Sequence, residues 1–456
     1  MTIEKTLNHV LNLIAEQETV EPKIVGKKLK PNELRLRFDF SLKKSGTELQ
    51  DIFSIYQKYL ELTPNTRIPE FQNQLFSGHH PVSLGAEILS AYTNTTMATY
   101  EVSPVSTLIE RELVQHFLKK IGWFSGDGIM VTGGSNANFV AMLVARNLKF
   151  PETKLFGSSG LRLTAFVSEE SHYSFDKAMN MLGLGLHSLK KIPSDESGKM
   201  IPEKLRDAIL ESLEKKETPF FIGATAGTTV LGAYDPIAEI SKIAQEFNLW
   251  LHVDGAWGGS ALFSQRYRSL MEGLEKADSF CVDTHKMLGT GLISSFFLTK
   301  HSHALRKSND SGGSDYIFHQ PSEDSLDLGP SSLQCGRRAD AFKVWCLWKF
   351  LGDEGIEKYI DELFKNAKIA VEIIKDRSDF QLLHEPQMLN ICFTFKDSKF
   401  SVKKTREKLL ESGSHYLNIS TRKEITFFRL ILTNIQQDHK EVLRTLEAIN
   451  FNKELE

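Results

Sequence analysis

The sequence of 456 residues lacks the features of secreted, metal-binding or nucleic-acid-binding proteins. Its four cysteines, Cys281, Cys335, Cys346 and Cys392, are scattered and include no C-x-x-C pair, so we expect neither a disulfide framework nor a zinc site. The formal net charge is only -3, which gives no electrostatic reason to bind nucleic acid or an anionic membrane. These absences favour a cytoplasmic protein with neither nucleic acid nor membrane among its partners.

Long apolar runs, internal repeats and low-complexity tracts are also missing. No apolar run approaches the length of a membrane span. The N-terminal run MTIEKTLNHVLNLIAEQ has the pattern of an amphipathic helix with acidic residues, unlike a signal or transit peptide. The remaining composition, 41% hydrophobic and 25% charged, is that of a globular chain, and its length predicts one large domain with lesser segments.

Between about residues 70 and 300, short β-rich runs alternate with helical periodicity. Most of these runs are apolar throughout, which favours strands covered on both faces of a mainly parallel sheet. We therefore predict a doubly wound α/β domain. The predicted strands are 128–132, 163–168, 219–225, 249–254, 278–283 and 292–299, and the helices between them include 135–149, 203–216 and 236–247.

The two ends of the chain have different patterns. Residues 301–333 are rich in Ser, Asp, Gly and Pro, which predicts a long functional or mobile loop. The final hundred residues alternate helices and strands, as in a small α+β domain. The predicted division is a helical segment at 1–65, a large domain at 66–345 and a C-terminal domain at 346–456.

Ligands of open α/β sheets bind at the carboxyl ends of the strands, so the residues that follow each strand are candidates. The run GGSNAN (133–138) opens a helix whose N–H groups could hold an anion. The alternative is an ordinary turn with Ser135 as the N-cap. His172, after the next strand, is placed either to lie against an aromatic ring or to serve as a cap or surface residue.

Three further strand ends carry polar side chains. Thr225 lies in a run of small residues and hydroxyls, which is either space for a bound group or a tight turn. Asp254 ends an apolar strand, so its carboxylate needs a partner, although it could simply cap the following turn. Lys286 in VDTHKMLG lies between two predicted strands, where an unpaired ammonium would be costly to bury. A lysine, a buried carboxylate and a helix N-terminus together are the groups that bind pyridoxal phosphate (PLP).

The chain resembles the group II PLP-dependent amino-acid decarboxylases, and within them the cysteine sulfinate and glutamate decarboxylases. The resemblance extends from about residue 70 to the C-terminus. It implies an aspartate aminotransferase-like fold of type I, with a mainly parallel seven-stranded large domain, a smaller C-terminal domain and a homodimer whose active site lies at the subunit interface. The runs that carry it are NQLFSG (73–78), YEVSPVSTLIE (100–110), GWFSGDGIMVTGGSNAN (122–138), GKMIP (198–202), ATAGTTVLGAYDP (224–236), LHVDGAWGGS (251–260), HKMLG (285–289), LQCGRRAD (333–340) and FFRLILTN (427–434).

The resemblance also implies roles for residues of this chain. Lys286 would bind the cofactor covalently, Asp254 would pair with its ring nitrogen, and His172 would stack on its ring; these three are the implied catalytic residues. The implied cofactor-binding set is Gly134, Ser135, Asn136, His172, Thr225, Asp254, Ala256, His285 and Lys286. Gln74, Phe76 and Arg429 would bind the substrate.

The implied activity is α-decarboxylation of an acidic L-amino acid, which releases CO2 and the amine. Phe76 stands where glutamate-selective relatives usually have a small hydroxyl residue, and a phenyl ring shortens the pocket. We therefore expect cysteine sulfinate or aspartate to be favoured, with glutamate close behind.

Two positions depart from the family pattern. The run DTHK (283–286) replaces the usual Asn-Pro-His-Lys, and Asp and Thr remain plausible at a strand end. The loop HQPSEDSLDLGPSS (319–332) has no tyrosine, which the related decarboxylases place there, and Tyr316 matches a different family position. The proton donor is therefore open, and His172 or a loop group could supply it.

Three alternatives stay open. The first is decarboxylation-dependent oxidative deamination, which gives an aldehyde. The second is a PLP-binding pseudoenzyme without turnover. The third, a metal hydrolase, has little support, because the histidines at 79–80 and 301–303 have no carboxylate at ligand spacing.

Overall fold

The structure is a computed structural model that describes residues 2–19, 24–158, 160–310, 312, 316–318 and 325–455. Its contacts divide the chain into two compact units. The first unit comprises Met1–Gly78, Ile369–Leu383 and Cys392–Glu456, and the second comprises His79–Lys368 and His384–Ile391. The division at residues 65 and 345 stays a prediction.

Helices and strands alternate through most of the described chain. The helices are α1 Ile3–Thr19, α2 Pro31–Arg37, α3 Leu49–Leu62, α4 Pro81–Thr93, α5 Pro104–Ile121, α6 Gly134–Lys149, α7 Glu152–Phe156, α8 Ser174–Met181, α9 Pro202–Glu214, α10 Ile237–Glu246, α11 Thr284–Met287, α12 Ala304–Asn309, α13 Ala341–Asp376, α14 Val402–Ser412 and α15 His439–Phe451. The strands are β1 Phe71–Gln72, β2 Asp127–Val131, β3 Leu163–Ser168, β4 Leu189–Ile192, β5 Thr218–Thr225, β6 Trp250–Gly255, β7 Ser279–Asp283, β8 Ser295–Thr299, β9 Phe380–Leu382, β10 Asn390–Phe395, β11 Tyr416–Arg422 and β12 Ile425–Ile431. Among these helices, none is both long and apolar enough to span a bilayer.

The second unit is built around a sheet of seven strands in the order β2-β8-β7-β6-β5-β3-β4. Strands β4, β3, β5, β6 and β7 run parallel, whereas β8 runs antiparallel to β7 and β2. Every residue of β3, β6, β7 and β8 is buried, as a sheet covered on both faces requires. The predicted α/β fold with a mainly parallel seven-stranded sheet is confirmed.

Helix α6 packs on this sheet through a face of small side chains. Ala137, Val140, Ala141, Val144 and Ala145 are fully buried in the main core. Because these side chains are short, the helix approaches the strands closely. Its first turn is thereby held at the edge where the parallel strands end.

Two details of the sheet differ from the sequence prediction. Strand β4 was not predicted, because its run LKKI carries two lysines and has only its ends buried. The last predicted strand, 292–299, begins at residue 295 instead. Ser294 turns inward, where its hydroxyl lies 3.0 Å from the Thr284 hydroxyl and 2.5 Å from the Thr290 hydroxyl.

The smaller sheet has the order β1-β11-β12-β10-β9. Strands β11 and β12 form an antiparallel pair. Strand β1 adds to β11 in parallel, with Phe71 opposite Tyr416. The predicted α+β part is therefore present, and it includes a short strand from the N-terminal part of the chain.

Candidate active site

A cavity of about 270 Å³ lies in the second unit where the parallel strands end. Its size is near the lower end of small-molecule pockets, about 300–1,000 Å³. Of the nine predicted cofactor-binding residues, eight line it: Gly134, Ser135, His172, Thr225, Asp254, Ala256, His285 and Lys286. Asn136 lies just beyond the lining, on the first turn of α6.

The first turn of α6 closes one end of the cavity. Gly133 is the N-cap and has φ 111°, a conformation that favours glycine. The alternative that Ser135 caps this helix is therefore wrong, and the cap makes no side-chain hydrogen bond. A helix start without a side-chain cap offers its N–H groups to an anion.

Gly134 leaves room that no other residue would leave. A Cβ atom at this position would lie 2.7 Å from the Ala256 Cβ and 3.0 Å from Asp283 Oδ2. Both distances are shorter than ordinary contacts. The close approach of α6 to β6 and β7 therefore depends on glycine.

Asp254 lies at the end of β6 with only 4% of its surface exposed. Its Oδ2 accepts a hydrogen bond from Asn138 Nδ2 at 2.7 Å, and its Oδ1 accepts one from the Ala256 N–H at 3.0 Å. The Cys281 thiol also lies 3.4 Å from Oδ1. Asp254 therefore does cap the turn, and it is also a buried carboxylate facing the cavity.

Lys286 is neutralised by Asp283, which is 1% exposed. The lysine Nζ lies 3.0 Å from Asp283 Oδ2, and the lysine side chain is 21% exposed. Burial lowers the pKa of Lys286, but the negative charges of Asp283 and Asp254 outweigh burial, so the pKa is raised. Lys286 is thus an ammonium in the cofactor-free protein. The pKa of Asp283 is lowered, because the positive charge of Lys286 outweighs the effect of its burial.

Both histidines of the site are held by backbone contacts. His172 Nδ1 accepts from the Ser174 N–H at 3.3 Å, so the residue does have a cap-like bond while also lining the cavity. His285 Nδ1 lies 3.1 Å from the Ser294 carbonyl oxygen. Burial lowers the pKa of each imidazole, so both rings are neutral at neutral pH.

The donor set of the cavity fits PLP. The cavity has a lysine for the aldehyde, a carboxylate for the ring nitrogen and a helix N-terminus for the phosphate. The buried hydroxyl of Thr225 has no hydrogen-bond partner among the described residues, and the same holds for Asn136 Oδ1. Two polar atoms beside the cavity are therefore available to a ligand.

The three predicted substrate-binding residues lie in the first unit. Arg429 on β12 is buried, and its Nη2 donates to the Asn73 carbonyl oxygen at 3.5 Å. Gln74 is exposed, and the half-buried Phe76 ring lies 6.0 Å from that of Phe71. Within this unit the NQLFSG and FFR runs are therefore neighbours, and their role in substrate binding stays a prediction.

Sequence reasoning missed several residues that line the cavity, and two of them contact its charged side chains directly. It assigned no role to Asn138, although the residue falls within GGSNAN, and it discounted Asp283 as a tolerable departure. Asn138 lies four residues after Gly134, so a helical count places both on one face of α6. Asp283 and Lys286 are three residues apart, and the short helix α11 brings them together.

The loop without a tyrosine is only partly described. Residues 319–324 lie outside the described residues, and Tyr316 is 79% exposed.

Among the histidines considered as metal ligands, His301 has a carboxylate neighbour, since its Nε2 lies 2.9 Å from Asp278 Oδ1. No group of three or more possible metal ligands occurs in the described part of the chain.

Residues 31–396 match the family described as the pyridoxal-dependent decarboxylase conserved domain. The chain belongs to this family. It is therefore a pyridoxal-dependent decarboxylase, and pyridoxal phosphate is its cofactor. This membership confirms the resemblance inferred from the motifs.

Individual relatives match almost the whole chain. The acidic amino acid decarboxylase of Mus musculus is 36% identical over 470 residues, which cover 98% of this chain and 86% of that protein. The cysteine sulfinic acid decarboxylase of Homo sapiens is 38% identical over 402 residues, covering 87% and 82%. The crystal structure of mouse CSAD in apo form superposes with a TM-score of 0.94 at 34% identity, covering 99% of this chain and 98% of that one.

Proposed function

We propose that this decarboxylase acts on acidic L-amino acids, with cysteine sulfinate or aspartate ahead of glutamate, and releases CO2 and the amine. The observation that carries the proposal is the cavity that joins Lys286, Asp254 and the start of α6. The names of the relatives, acidic amino acid decarboxylase and cysteine sulfinic acid decarboxylase, support the substrate class.

The cavity residues divide the work of holding the cofactor. Lys286 would bind it covalently, Asp254 would keep a proton on its ring nitrogen, and the N–H groups of Gly134 and Ser135 would hold its phosphate. When bound, the cofactor withdraws electrons from the substrate Cα, which is the chemistry that decarboxylation needs. The neutral ring of His172 can stack without adding positive charge.

The remaining predicted roles concern the substrate and a proton. Arg429 would bind the α-carboxylate region, and residues that hold this group perpendicular to the cofactor ring would select decarboxylation. Thr225, His285, Asn136 and Ala256 would complete the cofactor site. The proton for Cα would come from a group in residues 319–332 or from His172, whose neutral ring would first have to take up a proton.

The substrate preference rests on Phe76. A phenyl ring at this position would shorten the substrate pocket, and one methylene is worth about 1–3 kcal/mol in discrimination. Side-by-side kcat/KM values for cysteine sulfinate, aspartate and glutamate test this, with Phe76→Ser as the matched variant. We expect the variant to shift the ratio toward glutamate, and a wild-type preference for glutamate would refute the assignment.

A second copy of the chain is the partner that we propose. Six apolar side chains on and near α4 and α5 are 38–67% exposed: Ile88, Leu89, Tyr92, Val102, Val105 and Leu108. A groove of about 270 Å³ there is lined by residues of both helices, among them Leu89 and Val105. Exposed apolar patches of this kind mark protein interfaces.

The oligomeric state can be measured by light scattering during size-exclusion chromatography. Val105→Asp should convert a dimer to monomers, because a carboxylate would be buried without a partner. Phe124→Asp is the matched control, since Phe124 is 94% exposed and lies elsewhere in the unit. A monomeric wild type would contradict the proposal.

The proposed location is the cytoplasm. The scattered spacing of the four cysteines in the sequence supports this location, because it gives no disulfide framework. Fractionation of cells that express a tagged chain would test the location, and recovery in the secreted or organelle fraction would overturn it.

Oxidative deamination is the second candidate. It is favoured by the lack of a tyrosine in residues 319–332 of the sequence. In this reaction the amino acid, O2 and water give CO2, ammonia, hydrogen peroxide and an aldehyde. Assays for aldehyde and peroxide distinguish it from the first proposal.

A further inference from the structure

A buried hydrogen-bonded network joins the Asp254 carboxylate to side chains of α6, β6 and β7. Asn138 on α6 is 1% exposed. Its Nδ2 donates to Asp254 Oδ2 at 2.7 Å and to the Ser174 hydroxyl at 2.8 Å. Its Oδ1 lies 3.0 Å from His252 Nε2. The amide therefore joins the carboxylate to a fully buried histidine.

The direction of each hydrogen bond follows from the far end of the network. Trp250 Nε1, which can only donate, lies 2.8 Å from the Ser279 hydroxyl oxygen. Ser279 keeps its own O–H for His252 Nδ1, at 2.9 Å. His252 then carries its proton on Nε2 and donates to Asn138 Oδ1, which turns the amide N–H groups toward Asp254.

The reverse orientation is disfavoured at both ends of the amide. A flipped Asn138 would turn its carbonyl oxygen toward the Asp254 carboxylate and its N–H groups toward the His252 N–H. Two oxygens would then face each other in a buried site with no proton between them, and buried polar groups without partners are costly. Burial also lowers the pKa of His252 to about 4, so the neutral ring that this pattern needs is present at neutral pH.

We propose that Asn138, oriented by His252, is a positioning residue that holds the Asp254 carboxylate in place and stabilises its negative charge for pairing with the cofactor ring nitrogen. This inference rests on the role proposed above for Asp254. Hydrogen bonds to a charged acceptor are the strong class, which is why one amide has a measurable effect.

Other groups also face Asp254 and remain in every variant below. The Cys281 thiol contacts Oδ1, and the charges of Lys286 and Asp283 act across the site. The negative charge of Asp254 also acts on the imidazole of His172, whose pKa it raises against the effect of burial. Asn138 differs from them because it is the side-chain amide that donates to Oδ2.

The test compares two cofactors in binding experiments that need no turnover. One is pyridoxal phosphate, and the other is its 1-deaza analogue, in which carbon replaces the ring nitrogen. Asn138→Leu removes both amide donors at nearly constant volume. Dissociation constants can be read from the quenching of tryptophan fluorescence, since Trp257 lines the cavity.

The variant should weaken pyridoxal phosphate binding by about 10- to 100-fold, the usual effect of losing a hydrogen bond to a charged group. The analogue should bind the variant and the wild type with affinities within about twofold. In an Asp254→Ala background, Asn138→Leu should have no further effect, because both changes interrupt the same interaction. Equal losses for both cofactors, or full additivity with Asp254→Ala, would overturn the proposal.

A second pair of variants tests the orientation of the amide. His252→Gln keeps a donor toward Asn138 and should bind pyridoxal phosphate nearly as the wild type does, whereas His252→Leu should reproduce part of the Asn138→Leu loss. Equal affinities of His252→Gln and His252→Leu for pyridoxal phosphate would refute the role of His252. If Asn138→Leu does not fold, Asn138→Ser carries the same comparison.

Failure of the underlying function gives a different result. If the wild type does not prefer pyridoxal phosphate to the analogue, and Asp254→Ala changes neither affinity, the proposed role of Asp254 is wrong. If Asp254→Ala removes that preference but Asn138→Leu does not reduce it, only the inference about Asn138 is wrong.

Discussion

Replacing Asp283 by asparagine should make Lys286 more reactive in the cofactor-free protein. The change keeps the shape of the side chain and removes one negative charge 3.0 Å from the lysine Nζ. At an effective dielectric constant of about 20, two charges at that distance attract by at most about 5.5 kcal/mol. Even a quarter of this energy changes the neutral fraction of an amine by about tenfold at a given pH.

The assay is a short exposure of cofactor-free protein to an amine-reactive reagent, followed by peptide mass spectrometry. Only a neutral amine reacts, so Lys286 should be modified at least about tenfold faster in Asp283→Asn than in the wild type. The exposed Lys58 serves as an internal control in the same digest. An unchanged or slower rate at Lys286, with an unchanged rate at Lys58 and an unchanged melting temperature, would refute the ion pair.

Three further changes test the fold and the site. Burial lowers the pKa of His252 from 6.5 to about 4 in the folded protein, so between these pH values the folded state binds fewer protons than the unfolded state. The free energy of unfolding of the wild type should therefore fall by up to about 3 kcal/mol as the pH is lowered from 6.5 to 4. Urea unfolding of His252→Gln should not show this loss. Glu110→Ala leaves the buried Arg337 without its carboxylate partner, 3.0 Å away, and should lower the free energy of unfolding by about 3–5 kcal/mol; a smaller change would mean that the pair is not buried in solution. Gly134→Ala brings a methyl group 2.7 Å from the Ala256 Cβ, so it should lower the free energy of unfolding by about 1–3 kcal/mol and weaken cofactor binding. Unchanged stability and affinity would contradict the close packing of α6.

The parts of the site that the sequence predicted depend on local patterns. Asp254 lies at the end of one buried strand and Lys286 lies just after another. Parallel strands bring their carboxyl ends to one edge of the sheet, so the two side chains had to be near each other. The glycines before α6 similarly predicted a tight turn and an open helix start. What this pattern could not distinguish was whether Gly133 or Ser135 begins the helix, because both residue types occur at N-caps.

The remaining features depend on contacts between distant segments. Asn138 and His252 are 114 residues apart in sequence, and their hydrogen bond exists only because α6 packs across β6. Asp283 ends strand β7, and in the sequence alone it is only an Asp in place of the family's usual Asn. Its role is visible once the one-turn helix α11 places the Lys286 ammonium beside it. Strand β4 also depends on a distant segment, because its two lysines disguise it in the sequence and it forms by pairing with β3.

The most direct test of the proposed function is the stoichiometry of products. Protein loaded with pyridoxal phosphate is incubated with cysteine sulfinate, and CO2, amine, aldehyde and peroxide are measured together, with Lys286→Ala as the inactive control. We predict one amine for each CO2 and neither aldehyde nor peroxide. Aldehyde and peroxide in place of the amine, or no CO2 from cysteine sulfinate, aspartate or glutamate, would contradict it.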